Sequence, residues 1–586
     1  EIEEVGGEIM SYKDIYNEWL NNPYFDEATK AELQAIKDDE KEIEDRFYMD
    51  LEFGTAGLRG VIGAGTNRMN IYVVRKATQG LANYINKMGQ GSKGVAIAYD
   101  SRNMSPEFAD EAALCLCANG IKAYVFESLR PTPELSFAVR YLGCTAGINV
   151  TASHNPAEYN GYKVYWEDGA QITPPHDTGI MSEVKAVADY SACKTMDKEK
   201  AIADGLYIQI GANVDDPYIA ELKKQVKNQK CIDEMQKDIK IVYTPLHGTG
   251  NIPVRRVLKE LGFENVYVVK EQELPDGNFP TVSYPNPEAD ECFALAKKIG
   301  DEVGADLLLA TDPDADRLGV YVKGDKPGEY HVLTGNMSGC LLAEYELSQM
   351  KENGTLPEDG ALIKTIVTTN LANGIAKYYG VNLIEVLTGF KYIGEQILKF
   401  ETTGKGHYCF GFEESYGCLI GTHARDKDAV VASMALCEAA AYYKSKGMSL
   451  WDKMIEMYER YGYCMDGVQS LTLKGKEGIE KIQNTLEKLR KDVPTEFDGL
   501  KILSARDYRE DVIKDMVTGK TTKTGLPKSN VLYYDLEDDV WVCIRPSGTE
   551  PKLKFYYGVK GTSFEDAQEK LDKLGKYLLD MVNSML

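Results

Sequence analysis

The sequence GVAIAYDSR, residues 94–102, opens the segment that decides the fold, because it has the pattern of a buried strand that ends in polar residues. Further patterns then alternate along the chain as helix 105–120, strand 122–126, helix 132–143 and strand 145–153. We predict that Ser105 caps the first helix, since Pro106 follows in its first turn and Gly120 comes just past its end. The segment therefore predicts a βαβαβ unit.

The same order of elements occurs twice more. The second copy comprises strand 239–245, helix 251–262, strand 265–270, helix 287–300 and strand 305–310. The third comprises strand 361–369, helix 370–380, strand 382–387, helix 390–401 and strand 407–412. Strands that alternate with helices form mostly parallel sheets, and ligands bind beyond the carboxyl ends of such strands. Because a polar loop follows the third strand of every copy, we expect three ligand-binding loops.

The last part of the chain has a different pattern. Two strand-rich stretches, 531–539 and 540–561, precede a long amphipathic helix that begins at Ser563, which indicates an antiparallel sheet with helices. We therefore predict an α/β protein with three related βαβαβ-type domains, whose sheets are mixed but mostly parallel, and a C-terminal α+β domain. The predicted domains are residues 1–208, 209–328, 329–455 and 456–586.

Composition limits the classes of function. The 586 residues exceed what one hydrophobic core supports, and 43% hydrophobic with 27% charged residues is typical of soluble globular domains. The net charge of -24 disfavours binding to nucleic acid or to an anionic membrane, so an anionic substrate would need a local cationic pocket. No membrane span or signal peptide is evident, and the 12 cysteines lack paired metal-ligand spacing, so a cytoplasmic protein with reduced thiols is expected.

The loop TDPDADR, residues 311–317, alternates three aspartates with small residues. Carboxylate oxygens that converge on one point suit Mg²⁺, which keeps open positions for water and phosphate oxygens. A solvated acidic turn is the alternative for such a motif in isolation. Calcium of the EF-hand type fits less well, because Arg317 stands where that loop needs glycine and Lys323 where it needs glutamate.

Two further loops carry polar groups. GFEESYG, residues 411–417, offers carboxylates and a hydroxyl to the vicinal hydroxyls of a sugar, although its acids could simply favour the start of a following helix. IRPSGTEPKLK, residues 544–554, combines Arg545, Ser547 and Thr549 in a tight turn between strands. A guanidinium, hydroxyls and backbone N–H groups suit an anion, whereas an ordinary hairpin turn is the alternative.

The loop NVTASHNP, residues 149–156, places Ser153 directly after a strand. A serine in such a turn is usually a local hydrogen-bonding partner. The G-x-S-x-G motif is absent around it, which disfavours acyl transfer of the α/β-hydrolase type. Nucleotide-binding G-x-x-x-x-G-K-[ST], complete G-x-G-x-x-G and zinc-binding H-E-x-x-H motifs are absent as well.

Taken together, the motifs TASHNP, DPDADR, EES and RPSGTEP, in that order over nearly the whole chain, resemble those of the α-D-phosphohexomutase family. FGTAGLRG and TGFKYIGE are similar to its long phosphoglucomutase branch. The resemblance implies four domains around a central cleft, of which the first three are related. The chain departs from the common pattern at Phe412, where many relatives have glycine before the first glutamate.

The resemblance also implies roles, position by position. The implied metal ligands are Ser153, Asp312, Asp314 and Asp316. The implied catalytic residues are Ser153 as phosphoserine and, around the transferring phosphoryl group, Arg59, His154 and Lys163, where Lys163 or a neighbour is the general acid or base. The implied substrate contacts are Glu413 and Ser415 for the sugar, Lys391 for substrate choice, Arg317 for phosphate, and Arg545, Ser547 and Thr549, with Arg425 nearby, for the phosphate that is not reacting.

The implied activity is that of an intramolecular phosphotransferase. Phosphoserine at 153 would give its phosphoryl group to the 6-hydroxyl of glucose 1-phosphate, and the resulting 1,6-bisphosphate would turn and return its 1-phosphoryl group. Mg²⁺ is the implied cofactor, and glucose 1,6-bisphosphate is the implied activator. A sugar phosphate is the only partner that we expect, and the protein is expected to be a monomer or a dimer. Alternatives are a phosphopentomutase or phosphomannomutase on the same scaffold, a serine-dependent metal phosphatase, or a silent phosphosugar-binding protein.

Overall fold

The computed structural model describes residues 4–5, 8–54, 56–547 and 551–586. The chain divides into two compact units. The first unit comprises Glu1–Thr334, Ile393–Tyr408 and Tyr416–Ser449, and the second comprises Gly335–Tyr392, Cys409–Ser415 and Leu450–Leu586. Among the described residues, no helix combines the length and apolarity needed to cross a membrane.

The chain begins with a short hairpin and three helices. These are β1 (Glu4–Val5), β2 (Glu8–Ile9), α1 (Tyr12–Asn21), α2 (Glu27–Ala35) and α3 (Glu40–Phe47). The three helices bury an aromatic cluster in which Trp19 stacks on Phe25 and meets the edge of Phe47. Such aromatic pairs bury a large apolar area, so they can stabilise the packing of these three helices on one another.

The first α/β segment contains the predicted βαβαβ unit. Its strands are β3 (Leu58–Val61), β4 (Val95–Tyr99), β5 (Ala123–Phe126), β6 (Ala146–Val150), β7 (Tyr159–Trp166) and β8 (Tyr207–Ile210). Its helices are α4 (Ile71–Lys87), α5 (Ser105–Ala118), α6 (Thr132–Tyr141), α7 (His176–Ala186) and α8 (Lys198–Ala203). The sheet has the order β3-β7-β6-β4-β5-β8, in which β6, β4, β5 and β8 are parallel and β7 is antiparallel to both of its neighbours, β6 and β3. The prediction of a mixed, mostly parallel sheet is thus confirmed.

One detail of this unit was predicted wrongly. Ser105 does not cap α5, because it is the first residue of the helix and Met104 occupies the cap position with φ 69°. The Ser105 hydroxyl instead donates to Asp100 Oδ1 at 2.8 Å. The Ser105 hydroxyl therefore binds the Asp100 carboxylate, just after β4, and does not cap the N-terminus of α5 as predicted.

The second segment repeats the arrangement within the first unit. Its strands are β9 (Lys240–Thr244), β10 (Asn265–Val268), β11 (Leu307–Thr311), β12 (Leu318–Lys323) and β13 (Tyr330–Leu333). Its helices are α9 (Ala212–Lys223), α10 (Gln229–Met235), α11 (Asn251–Leu261) and α12 (Ala294–Val303). The order β10-β9-β11-β12-β13 is parallel up to β11 and antiparallel beyond it. The aspartate loop joins β11 to β12.

The third segment contributes to both units. Its elements are α13 (Gly335–Asn353), β14 (Gly360–Thr365), α14 (Leu371–Tyr379), β15 (Asn382–Val386), α15 (Phe390–Thr403), β16 (His407–Glu413), β17 (Gly417–Leu419), α16 (Ala429–Ser445) and α17 (Leu450–Tyr461). Its sheet includes the order β15-β14-β16, with β14 and β15 parallel. Phe412 at the end of β16 is buried against α13, where any side chain at Gly339 would collide with its ring.

The C-terminal segment is the predicted antiparallel sheet with helices. Its strands are β18 (Tyr463–Thr472), β19 (Glu496–Phe497), β20 (Leu500–Asp507), β21 (Val512–Asp515), β22 (Thr521–Thr522), β23 (Leu532–Leu536), β24 (Trp541–Pro546) and β25 (Lys552–Gly561), and its helices are α18 (Gly475–Lys491) and α19 (Phe564–Met585). The order is β18-β25-β24-β23-β20-β21-β22, with β19 on β20. Ser563 caps α19 by accepting from the Asp566 N–H, as expected for the start of this amphipathic helix.

Candidate active site

The loop that follows β6 presents Ser153. The side chain is 3% exposed, and its hydroxyl donates to Asp312 Oδ2 at 2.9 Å although the two residues are 159 positions apart in the chain. Nδ1 of His154 lies 3.4 Å from the same hydroxyl. Ser153 has φ 54°, a left-handed conformation that a residue with a side chain rarely adopts. Such a strained residue, just beyond the carboxyl end of a parallel strand, is typical of a functional position.

The aspartate loop after β11 brings three buried carboxylates together. One oxygen from each of Asp312, Asp314 and Asp316 lies within 4.8 Å of the others. Among the described residues, Oδ1 of Asp314 and Oδ1 of Asp316 have no hydrogen-bonding partner. Burial, and then the neighbouring carboxylates, raise the pKa of Asp312 and of Asp314. Orphaned oxygens and repelling charges in a dry site are what a divalent cation would compensate, so this donor set fits Mg²⁺.

Contacts within the acidic loop and from distant segments hold it in shape. The backbone N–H groups of Asp316 and Arg317 donate to Asp312 Oδ1 at 3.2 and 3.1 Å. Thr132, at the start of α6, donates its hydroxyl to Asp314 Oδ2 at 2.7 Å. Lys427 lies 3.6 Å from Asp316 Oδ2. These contacts engage Asp312 Oδ1, Asp314 Oδ2 and Asp316 Oδ2, and they leave Asp314 Oδ1 and Asp316 Oδ1 without a hydrogen-bonding partner among the described residues.

Sequence reasoning missed Thr132 and Lys427. Each had a weak signal, because Thr132 follows β5 in the motif PTPE and Lys427 is close to Arg425 in HARDKDAV. Neither position could be paired with an aspartate from sequence. Thr132 is 182 positions from Asp314, and Lys427 belongs to a different predicted domain from Asp316.

Cationic and imidazole groups surround the serine within the same unit. Arg59 donates to the Asn155 side chain at 2.9 Å, and Lys163 in β7 is 7% exposed. Arg317 lies 3.6 Å from Glu288 Oε1. Burial, and then the charges of Arg317 and Arg59, lower the pKa of His154 to about 3. The imidazole is therefore neutral at physiological pH and adds no positive charge to the site.

Arg425 is 1% exposed and lies in the first unit. Its guanidinium forms an ion pair with Glu401 and donates to the Asp168 carbonyl at 3.4 Å, while its backbone N–H donates to Ser136 Oγ at 2.8 Å. The side chain predicted to lie near a substrate phosphate is therefore held by a carboxylate in this structure.

The remaining predicted site residues lie in the second unit. Ser415 donates to Glu413 Oε2 at 3.4 Å, so the two residues predicted to contact the sugar are neighbours. Arg545 donates to the hydroxyl of Tyr556 at 3.1 Å, and Lys391 lies over the ring of Tyr392. The Ser547 N–H donates to the Lys552 carbonyl at 2.9 Å, so the residue after β24 bonds to the first residue of β25. Thr549 lies outside the described residues.

Glu414, between the two predicted sugar contacts, has a different environment. Its Oε1 accepts from Thr365 Oγ1 at 3.0 Å and lies 3.5 Å from Thr368 Oγ1. Burial and the charge of Glu413 raise its pKa from 4.5 to about 7. Thr365 ends β14 and Thr368 follows it, and both contact the loop that carries Glu413 and Ser415, a link that sequence reasoning missed.

This pKa predicts how stability depends on pH. Because the folded protein holds the Glu414 proton more tightly than the unfolded chain, stability decreases as pH rises from about 4.5 to about 7 and stays lower above that. Glu414→Gln, which is neutral at every pH, should raise the free energy of unfolding by about 1 to 2 kcal/mol at pH 8 and change it little at pH 5, allowing for partial exposure. Urea unfolding at both pH values measures this. Glu569→Gln, on the exposed face of α19, is the control, and equal effects of Glu414→Gln at both pH values would contradict the prediction.

Comparisons with known proteins identify the family of the chain. The family models for phosphoglucomutase/phosphomannomutase alpha/beta/alpha domains I, II and III match residues 50–191, 216–326 and 334–461. A phosphoglucomutase of Staphylococcus saprophyticus is 34% identical over 556 residues, which cover 95% of this chain and 97% of the relative. A phosphoglucomutase of Staphylococcus aureus is 36% identical over 555 residues, which cover 94% and 97%.

Solved structures share the fold. A phosphoglucomutase/phosphomannomutase family protein from Burkholderia thailandensis superposes with a TM-score of 0.64 at 20% identity, covering 91% of this chain and 98% of that one. The open form of the phosphoprotein pp63/parafusin, a phosphoglucomutase from Paramecium, superposes with a TM-score of 0.67 at 18% identity. The superposition covers 92% of this chain and 95% of that one. With three family domains matched in order and relatives aligned over almost their full length, the chain belongs to the phosphoglucomutase/phosphomannomutase family of the α-D-phosphohexomutase superfamily, whose members are phosphotransferase isomerases.

Proposed function

We propose that the protein interconverts glucose 1-phosphate and glucose 6-phosphate through a phosphoserine at position 153 and a glucose 1,6-bisphosphate intermediate. The observation that carries this proposal is the 2.9 Å hydrogen bond between the Ser153 hydroxyl and Asp312, one of three clustered buried carboxylates. The choice of glucose is supported by the curated relatives, which are named phosphoglucomutase.

Mg²⁺ is the proposed cofactor. Asp312, Asp314 and Asp316 would hold it, with an oxygen of phosphorylated Ser153 as a further ligand. When bound, the ion would neutralise charge on the phosphoryl oxygens. Two of the three aspartates have an oxygen without a hydrogen-bonding partner among the described residues, which supports this ligand set.

In the first half-reaction the 6-hydroxyl oxygen of glucose 1-phosphate attacks the phosphorus of phosphoserine 153. The bond between phosphorus and Ser153 Oγ breaks as the new P–O bond forms, the sugar hydroxyl loses its proton, and Ser153 Oγ regains one. Lys163, buried in β7, or a neighbouring group transfers these protons, and Arg59 balances charge on the phosphoryl group. Nδ1 of His154 lies 3.4 Å from Ser153 Oγ, so its proposed part is to orient the serine.

In the second half-reaction the bisphosphate has reversed its orientation, and Ser153 Oγ loses its proton as it attacks the phosphorus of the 1-phosphoryl group. The bond between this phosphorus and the C1 oxygen breaks, the C1 oxygen takes up a proton, and glucose 6-phosphate is left. Glu413 and Ser415 would hold sugar hydroxyls in both orientations. The proposed phosphate contacts are Arg317, Arg425, Arg545, Ser547 and Thr549. Lys391 would contribute to the choice of sugar. Because each half-reaction needs mainly position and charge neutralisation, one set of groups can serve both.

Intact mass spectrometry tests the proposal directly. Incubation with glucose 1,6-bisphosphate and Mg²⁺ should add one phosphoryl group to the protein, peptide mapping should locate it on Ser153, and excess glucose 6-phosphate should remove it. A protein that converts glucose 1-phosphate without ever carrying this mass would contradict the phosphoserine mechanism. Release of inorganic phosphate as fast as glucose 1-phosphate is lost would favour the phosphatase alternative.

The preferred sugar has its own test. We expect kcat/KM for glucose 1-phosphate to exceed that for mannose 1-phosphate and for ribose 1-phosphate by at least about tenfold, a factor that corresponds to about 1.4 kcal/mol of transition-state binding. Glu413 and Ser415 would contact hydroxyls that glucose shares with mannose, so other contacts must supply the difference. Assays of all three substrates under identical conditions decide the point, and a higher value for ribose 1-phosphate would identify a phosphopentomutase.

A further inference from the structure

Arg102, just after β4, is completely enclosed and binds backbone carbonyl groups on the serine loop. The side chain is 1% exposed. Nη2 donates to the carbonyl oxygens of Ser153 at 2.8 Å and Asn155 at 2.6 Å, and Nη1 donates to those of Pro156 at 2.9 Å and Tyr159 at 3.2 Å. One guanidinium therefore binds four carbonyl groups between Ser153 and the first residue of β7.

A second set of contacts holds the other side of Ser153. The Ser153 N–H donates to Thr151 Oγ1 at 2.9 Å, and the Thr151 hydroxyl donates to Asp100 Oδ2 at 2.6 Å. The same carboxylate lies 3.4 Å from Nε of Arg102. The peptide groups before and after Ser153 are thus both fixed by residues at the end of β4.

This double attachment explains the backbone conformation of the serine. A left-handed φ of 54° is strained for serine and persists only where surrounding contacts impose it. In this conformation the hydroxyl reaches Asp312 at 2.9 Å. If the carbonyl of Ser153 were released, rotation about its backbone toward the right-handed or extended region would turn the hydroxyl away from the carboxylates.

Binding four carbonyl groups at once requires arginine rather than lysine. A guanidinium presents five N–H groups in a planar fork, so it can bind several carbonyl groups at once, whereas the lysine ammonium is a compact donor on a flexible stem. Phe279 lies with its ring centroid 5.2 Å from the guanidinium carbon and helps to keep the group in place. A lysine would retain the charge but only part of the carbonyl contacts.

We propose that Arg102 is a positioning residue, which holds Ser153 in its left-handed conformation so that the serine oxygen stays aligned for phosphoryl transfer in both directions. This inference rests on the proposed role of Ser153 as phosphoryl carrier. Arg102 itself touches neither the substrate nor the transferring group in this scheme.

The test compares Arg102→Gln and Arg102→Lys with the unchanged full-length protein. We expect Arg102→Gln to lower kcat by about 100-fold, the loss typical of a misplaced reacting group, with KM for glucose 1-phosphate altered less than about threefold. The rate at which glucose 1,6-bisphosphate phosphorylates Ser153, followed by intact mass, should fall by a similar factor. Arg102→Lys should lose less, about tenfold, because charge and some contacts remain.

Arg75 supplies a matched control. It is another buried arginine of the same unit, but its guanidinium bonds Glu111 and Tyr24. Arg75→Gln should retain kcat and the rate of Ser153 phosphorylation even if it lowers thermal stability. A general cost of removing a buried guanidinium would affect both arginines alike, whereas the proposed role predicts a loss of kcat only at Arg102.

The possible outcomes separate this inference from the proposed function. Wild-type protein that never gains the phosphoryl mass would overturn both. Wild-type protein that gains it, with Arg102→Gln phosphorylated equally fast or changed only in KM, would overturn the role of Arg102 alone. If Arg102→Gln does not fold, Arg102→Lys decides, since full kcat in a folded Arg102→Lys variant would overturn the proposal and a reduced kcat with unchanged KM would support it.

Discussion

Ser153→Ala is expected to lower the rate of glucose phosphate interconversion by about 10⁴- to 10⁶-fold, because removal of a nucleophilic side chain that forms a covalent intermediate eliminates the pathway itself. The fold should remain intact. The lost hydroxyl makes its close hydrogen bond to Asp312, and the backbone contacts of residue 153 do not need it. A coupled assay for glucose 6-phosphate measures the loss, and circular dichroism checks the fold.

A matched serine completes this experiment. Ser433→Ala removes an equally buried hydroxyl, which donates to the Ala429 carbonyl inside α16, and it should leave the rate unchanged. Retention of more than about 1% of the activity in Ser153→Ala would show that another group carries the phosphoryl group, since such a small loss is compatible only with an auxiliary role.

Asp314→Asn is expected to reduce turnover by about 10³-fold at a fixed low Mg²⁺ concentration and to weaken Mg²⁺ activation by at least about tenfold to 100-fold. The substitution keeps the shape of the side chain but removes one charged oxygen ligand from the cluster. Asp314 Oδ1 is one of the oxygens without a partner among the described residues, so its expected role is to bind the cation rather than to hold the loop. Titration of activity with Mg²⁺ measures the change.

Stability in the presence of a chelator provides a second measurement for the same variant. Without a cation the three buried carboxylates repel one another, so Asp314→Asn in EDTA should be at least as stable as the wild type. Asp325→Asn, an exposed acid between β12 and β13, should change neither the Mg²⁺ midpoint nor stability. An unchanged Mg²⁺ midpoint in Asp314→Asn would contradict the proposed metal site.

Local sequence patterns predicted the βαβαβ order of three segments and the C-terminal antiparallel sheet with its last helix. The alternation that begins at residue 94 recurs as β4–α5–β5–α6–β6, and the helix capped by Ser563 begins where its amphipathic pattern starts. These features depend on propensity and periodicity within about ten residues, which a sequence displays directly. The predicted role of Ser105 as helix cap was wrong because its hydroxyl binds the carboxylate of Asp100, five residues earlier.

The sequence alone determined the order of the elements within the three βαβαβ units, the places where polar loops follow buried strands, and the residue types that could carry phosphate, metal and sugar chemistry. Only the tertiary structure decided that Ser153 meets Asp312, that Thr132 holds Asp314, and that Arg102 fixes the serine in a left-handed conformation. The physical reason is that these contacts join residues 51 to 182 positions apart. Their geometry is set by how strands and loops pack together, and no short-range pattern of side chains encodes it.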